Sequence, residues 1–115
     1  MSYSAYRTIT VASGTVSSNL TDFPLLVSLT ETDLATTANG GIVTNSSGFD
    51  IVFSSDNAGA NLLAWEVESY NAATGALIVW VKIPAVSHTA DTVIYMCYGN
   101  SSITTPQGDS TAVWA

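Results

Sequence analysis

The sequence predicts an all-β domain, an antiparallel β-sandwich of the jelly-roll or immunoglobulin-like kind with one short helix. Three observations carry that expectation: turn residues recur at short intervals, the runs between them are rich in Val, Ile, Thr and aromatics, and no run holds a long helical period. At 115 residues the chain is long enough for one domain with a core of its own. The sandwich is expected over residues 1–105, with 106–115 as an exit segment leading toward a following domain.

Taken in order, strands are expected at about Ala5–Ala12, Phe23–Leu29, Phe49–Ser54, Leu62–Tyr70, Ala76–Ile83 and Thr92–Tyr98, with a short one near Thr15–Leu20. Between the second and third of these, "ETDLATTANGG" is the single helical candidate. Thr30 or Thr32 can cap it, Asp33 suits its first turn and Asn39-Gly40-Gly41 ends it after about two turns. The clearest hairpin joins "LLAWEVESY" to "ALIVWVKI" through "NAATG", where Asn71 and Gly75 supply the turn chemistry. Leu77, Val79, Val81 and Ile83 make the core face of its second strand, and Ile78, Trp80 and Lys82 the other. Pro84, with no N–H to donate, is expected to stop that ladder. "DTVIYMCYGN" is apolar on both faces, so either it is central in a sandwich with both sides covered or one of its faces is built to meet a partner.

Fifteen Ser, fifteen Thr and only two bases, Arg7 and Lys82, leave solubility to hydroxyls, amides and a net charge of -7. That composition suits an extracellular, cell-surface or virion-surface module. The acidity argues against nucleic acid and against anionic membrane surfaces, both of which draw on clustered Lys and Arg. Cys97 is alone, so no intrachain disulfide forms, and a buried inert thiol is expected. No apolar run is long enough to span a bilayer, and "MSYSAYR" lacks a signal-peptide pattern. The retained Met1 fits a native start, and either a trimmed export signal or release by host lysis, as for phage proteins, fits that opening.

Arg7 and Lys82 fall mid-strand, where a cation needs a partner. Asp50, Glu66 and Glu68 are the strand carboxylates expected to supply one, Glu66 and Glu68 sharing a face because they are two apart. One reading is a cross-strand ion-pair cluster that fixes register. The sharper reading is a polar patch flanked by Trp80 and Tyr95 on an exposed sheet face, where rings stack on sugars and polar groups bond their hydroxyls.

Little supports catalysis. His88 lies in the turn "SHTAD", and two carboxylates two apart on a strand, roughly 6–7 Å along it, are weak evidence for glycoside hydrolysis. His and Cys are too few for a transition-metal site, and "SSDNAGAN" reads as an Asx-rich loop in preference to a Ca²⁺ site built on Asp56 and Asn57. No metal and no cofactor is expected. Triplets of the N-glycosylation type begin at Asn19, Asn45 and Asn100 and arise readily by chance in a chain rich in Ser and Thr.

Several stretches together resemble a known family: "YRTITV", "LTDFPLLVSL", "GFDIVFSSD", "WEVESYNAATGALIVWVKIP", "SHTADTVIYMCYGN" and the closing "AVW". They are similar, in order and over nearly the whole chain, to the β-domain of unknown function DUF2341. That family occurs in bacterial and archaeal surface proteins and phage structural proteins, commonly just before a concanavalin A-like lectin domain. The resemblance marks Tyr6, Arg7, Asp50, Glu68, Trp80, Tyr95, Tyr98, Gly99 and Asn100 as matching the family pattern. Cys97 departs from it, standing where relatives usually carry an aromatic, which implies a packed position there and so a central strand covered on both sides, with Tyr98-Gly99-Asn100 as its end and turn.

The function expected from this reading is a non-catalytic module in adhesion or glycan binding, with Trp80, Tyr95, Arg7, Asp50 and Glu68 as ligand-binding candidates. Its partner would be a glycan or cell-surface polysaccharide. The rival expectation is a structural virion protein, a capsid-decorating or tail subunit that self-associates or packs on other virion proteins through its sheet faces.

Overall fold

The computed structural model describes residues 3–109 and Val113. It is all-β, with six strands: β1 (Ala5–Val11), β2 (Leu20–Thr30), β3 (Val52–Ser54), β4 (Ala64–Asn71), β5 (Ala76–Val86) and β6 (Thr92–Tyr98). They form two three-stranded antiparallel sheets, β1-β6-β3 and β2-β5-β4. The inner faces of the sheets meet in one core. Leu77, Val79, Val81 and Ile83 alternate inward along β5, as their spacing requires, and face Ile94, Met96 and Tyr98 of β6. Phe53 of β3 and Trp65 of β4 cross the gap between the sheets with ring centroids 5.7 Å apart, edge to face. Each aliphatic side chain fully buried in this way contributes about 1.5–3 kcal/mol.

β6 is the central strand of its sheet, and both of its faces are covered at the Cys97 end. Cys97 lies on the outer face, fully buried, with its thiol 3.7 Å from the Asn57 carbonyl of the loop that folds over it. Burial, and then the negative charge of Asp56, raises the thiol pKa above its ordinary value. This is the packed position expected of the residue that departs from the family pattern.

Four local expectations are corrected. The 31–41 segment is two 3-10 turns, Thr32–Leu34 and Thr37–Asn39, rather than one helix. Leu34, Ala35 and Thr36 are buried in succession, and Ile42 N–H bonds the Asp33 carbonyl, so tertiary contacts replace a helical ladder. Residues 13–15 form a 3-10 turn, and β2 begins only at Leu20, so no separate strand occupies 15–20. Only Val52–Ser54 pairs with β6, because residues 44–50 fold around the Asp50 carboxylate. Finally, β5 continues past Pro84 to Val86. β4 pairs no further than Lys82, so at Pro84 the strand has β2 alone beside it, and the β2 ladder skips from Ile83–Phe23 to Ala85–Thr21. Asp22, the β2 residue at that break, has φ 51°.

Candidate functional site

Sheet geometry separates the five candidate residues. Trp80 sits on the outer face of the β2-β5-β4 sheet, half-buried, with Leu26 opposite it on β2 and Glu66 opposite it on β4. Tyr95 sits on the outer face of the other sheet, where its ring meets that of Tyr6 edge-on at 5.8 Å. Trp80 and Tyr95 therefore lie on opposite sides of the sandwich and cannot flank one patch. The expectation of a shared face treated each strand alone; which sheet a strand joins is a tertiary fact.

Arg7 points to the inter-sheet side of edge strand β1, paired with Met96, and reaches out to Glu31 at 3.2 Å. Lys82 has Asp22 at 4.0 Å across the β2–β5 ladder. Neither cation is bridged by Asp50 or Glu68, as had been expected of the strand carboxylates. Glu31, just past the end of β2, meets Arg7, and Asp22, at the irregular residue of β2, meets Lys82. Both bridges are at least partly solvated and contribute little, on the order of 0–1 kcal/mol each.

Asp50 is fully buried and belongs to the framework. Its carboxylate accepts from Thr44 N–H at 2.8 Å, Thr44 Oγ1 at 2.9 Å, Asn45 N–H at 3.0 Å and Asn100 N–H at 3.1 Å. A carboxylate so surrounded ties the 44–50 loop to the end of β6. It has no surface left to offer a ligand. Its charge also reaches Tyr70, whose hydroxyl donates to the Leu34 carbonyl at 2.6 Å. Burial first, and Asp50 second, push the Tyr70 pKa up to about 12.

Glu68 is exposed beside a β-bulge, where the register steps from Val67–Val79 to Ser69–Ile78. The two-residue alternation counted from Glu66 does not carry through the bulge, so a shared face for Glu66 and Glu68 does not follow. Glu66 instead lines a cleft of about 560 Å³ running along β4, together with Ser47, Phe49, Val67 and Gln107. Gly108 closes on Trp65 so tightly that a Cβ there would lie 2.6 Å from the Trp65 carbonyl oxygen. The 106–108 segment thus forms one wall of the cleft, 47–51 the other. Trp80 is the cross-strand neighbour of Glu66 on β5 and is not itself part of the cleft lining. The sequence carries no signal for this cleft, because its walls are loops without a period.

The 55–61 loop is organised by Asp56, whose carboxylate accepts from the Ser54 hydroxyl and from Ala58, Ala60 and Asn61 N–H groups. Donors thus converge on the oxygens that a Ca²⁺ ion would need, and the Asx-loop reading fits this geometry. Among the described residues no group of three His, Cys, Asp or Glu is placed to hold a metal. The Ser54 hydroxyl, then the Asn61 and Ala60 N–H groups, hold the Asp56 pKa well below the ordinary 3.8. A depressed carboxylate contributes stability that is present above the unfolded-state value and lost as the pH falls beneath it. Asp56→Asn should therefore unfold at lower urea than wild type at pH 6, with the difference narrowing below about pH 4. A gap that stays constant from pH 6 to pH 3 would remove Asp56 as the acid-sensitive group.

The three glycosylation-type asparagines also serve the framework. Asn19 Oδ1 accepts from His88 N–H, Asn45 Oδ1 from Ser47 N–H, and Asn100 Oδ1 from Ser102 N–H, with Asn100 buried. Among the described residues no helix is long and apolar enough to cross a membrane. Ile103 and Val113 are buried, while Ala112 and Trp114 of the closing "AVW" lie outside the described residues.

The family described as Domain of unknown function (DUF2341) matches residues 47–114. All the residues named along the cleft fall inside that span, as does Trp80. No curated protein and no solved structure matches the chain.

Proposed function

From the premise that the chain belongs to the DUF2341 family, we propose that it is a non-catalytic glycan-recognition module of a cell-surface, secreted or phage-virion protein. The observation that carries this reading is the cleft along β4, lined by Phe49, Glu66 and Gln107, with Trp80 the cross-strand neighbour of Glu66. A saccharide has apolar C–H faces and a rim of hydroxyls. Rings suit the first and carboxylate, amide and hydroxyl groups the second, within an open groove that a chain can cross. The bulge that parts Glu68 from the alternation of Glu66 weakens the alternative of a paired-carboxylate hydrolase.

Trp80→Ala and Phe49→Ala should each lower saccharide retention on a broad glycan array at least about tenfold, with thermal unfolding remaining a single cooperative transition. Wild-type signal at background across the array would end the reading. Binding that survives both substitutions would move the site elsewhere, with the Tyr6–Tyr95 face the next to test.

A further inference from the structure

The side of the sandwich away from the β4 cleft is built differently. β1 and β2 are edge strands of different sheets, and an open trough of about 560 Å³ lies between them. Ile9, Val11, Val16, Phe23, Leu25 and Leu29 line it, all but Val11 partly exposed. Edge strands are usually guarded by charge, proline or irregular backbone. On β2 those guards, Asp22 with its φ of 51° and Pro24, stand only in the first half. Leu25–Thr30, "LLVSLT", has no charge and no proline along an edge that no strand pairs with among the described residues.

We propose that a second copy of this chain docks on this edge, β2 against β2 antiparallel about a two-fold axis through Val27. Three features of the chain select that occupant. An unpaired strand edge is completed by another extended backbone, whose N–H and C=O groups match its own. Register does the rest: opposed residues must share a face, and pairing about Val27 sets Leu25 against Leu29 on the trough side and Leu26 against Ser28 on the outer side. That register is self-complementary and ends where Pro24 meets Thr30. Charge agrees, since a chain of net charge -7 meets its own copy with least repulsion along an uncharged strand. The same two-fold axis turns each trough toward its equivalent, so that β1, with Ile9 and Val11, closes over the apolar lining. The result is a continuous six-stranded sheet, β4-β5-β2-β2-β5-β4. This inference is independent of the glycan reading, which concerns the opposite edge.

The test is sedimentation equilibrium of the full chain from low to high micromolar concentration, with Ser28→Asp and Ser28→Thr beside wild type and amide exchange read across 25–30. Ser28 is exposed, so both variants keep the fold of the single copy. The expected result is a particle of twice the 12.0 kDa chain mass. Its 25–30 amides should gain protection as concentration rises. Ser28→Asp, which adds a charge next to the axis in each copy, should weaken the dimer at least about tenfold, and Ser28→Thr should not. A strictly monomeric wild type overturns the proposal. So does a dimer whose β2 amides exchange independently of concentration, or one that Ser28→Asp leaves unchanged.

Discussion

Asp50→Ala is expected to lower the stability of the domain by about 3–5 kcal/mol, the largest effect of any single substitution proposed for it. The reason is the number of donors left behind. Thr44, Asn45 and Asn100 N–H groups and the Thr44 hydroxyl all end on this one carboxylate, and alanine offers none of them an acceptor. Asn100 N–H is itself buried, so water does not replace the lost partner there. A domain of this size has about 5–15 kcal/mol in total, so the variant should be partly unfolded at 37 °C. Asp50→Asn keeps one acceptor oxygen but turns an amide NH₂ toward the other donors, and should lie between alanine and wild type. Urea midpoints followed by tryptophan fluorescence would decide this. A loss below about 1 kcal/mol for Asp50→Ala would mean that the 44–50 loop is held by other contacts.

The second large effect is expected at the tip of the β4–β5 hairpin. Gly75 has φ 75° and a backbone pressed against the chain that leaves β2. Glu31 N–H donates to its carbonyl at 3.2 Å, while its own N–H donates to Asn71 at 2.8 Å. A Cβ added there would stand 1.9 Å from the Glu31 carbonyl oxygen and 2.8 Å from Ala35 N. Backbone on both sides leaves no flexible side chain to give way. Gly75→Ala should therefore cost about 2–5 kcal/mol, from the left-handed backbone and the forced displacement together. The melting temperature should fall by roughly 10 °C or more. Gly14→Ala is the control, because an added Cβ meets nothing within 4 Å there, and it should change stability by less than about 0.5 kcal/mol. Equal melting temperatures for the two variants would refute the role given to Gly75.

Much of this architecture was readable from period-two patterns. β5 shows why: it is central, Leu77 to Ile83 alternate without interruption, and a central strand with one core face leaves a strong trace in the sequence. β6 was less legible, since apolar residues on both faces fit either cover on both sides or a face for a partner, and only the small Cys97 favoured the first. The 31–41 segment was misread because its cap and stop residues are those of a helix, while burial of Leu34 to Thr36 imposes an extended passage between two tight turns. Local propensity is a weak prior against such packing.

The candidate site was less legible than the fold. Trp80 could be placed on an outward face from β5 alone, but Tyr95 could not be placed relative to it without knowing that β5 and β6 enter different sheets. Asp50 reads in the sequence as a strand carboxylate placed to meet a cation. Its true role depends on Thr44 and Asn45, five or six positions before it, and on Asn100, fifty after it. The cleft along β4 has walls from the 47–51 and 106–108 segments, and neither carries a periodic signal.

The pairing of β1 with β6 has a mechanical consequence. Ala5 stands opposite Tyr98 and Val11 opposite Thr92, so the two strands run antiparallel with the start of one beside the finish of the other. Tension drawn on Ala5 and Tyr98 would load the ladder at a single end. Its hydrogen bonds, perpendicular to the strands, then lie along the pull and break in turn, like a zipper, instead of sharing the load as they would in shear. A pull transmitted from beyond Tyr98 first meets Asn100, whose buried N–H the Asp50 carboxylate holds, so that one contact guards the opening end of the zipper.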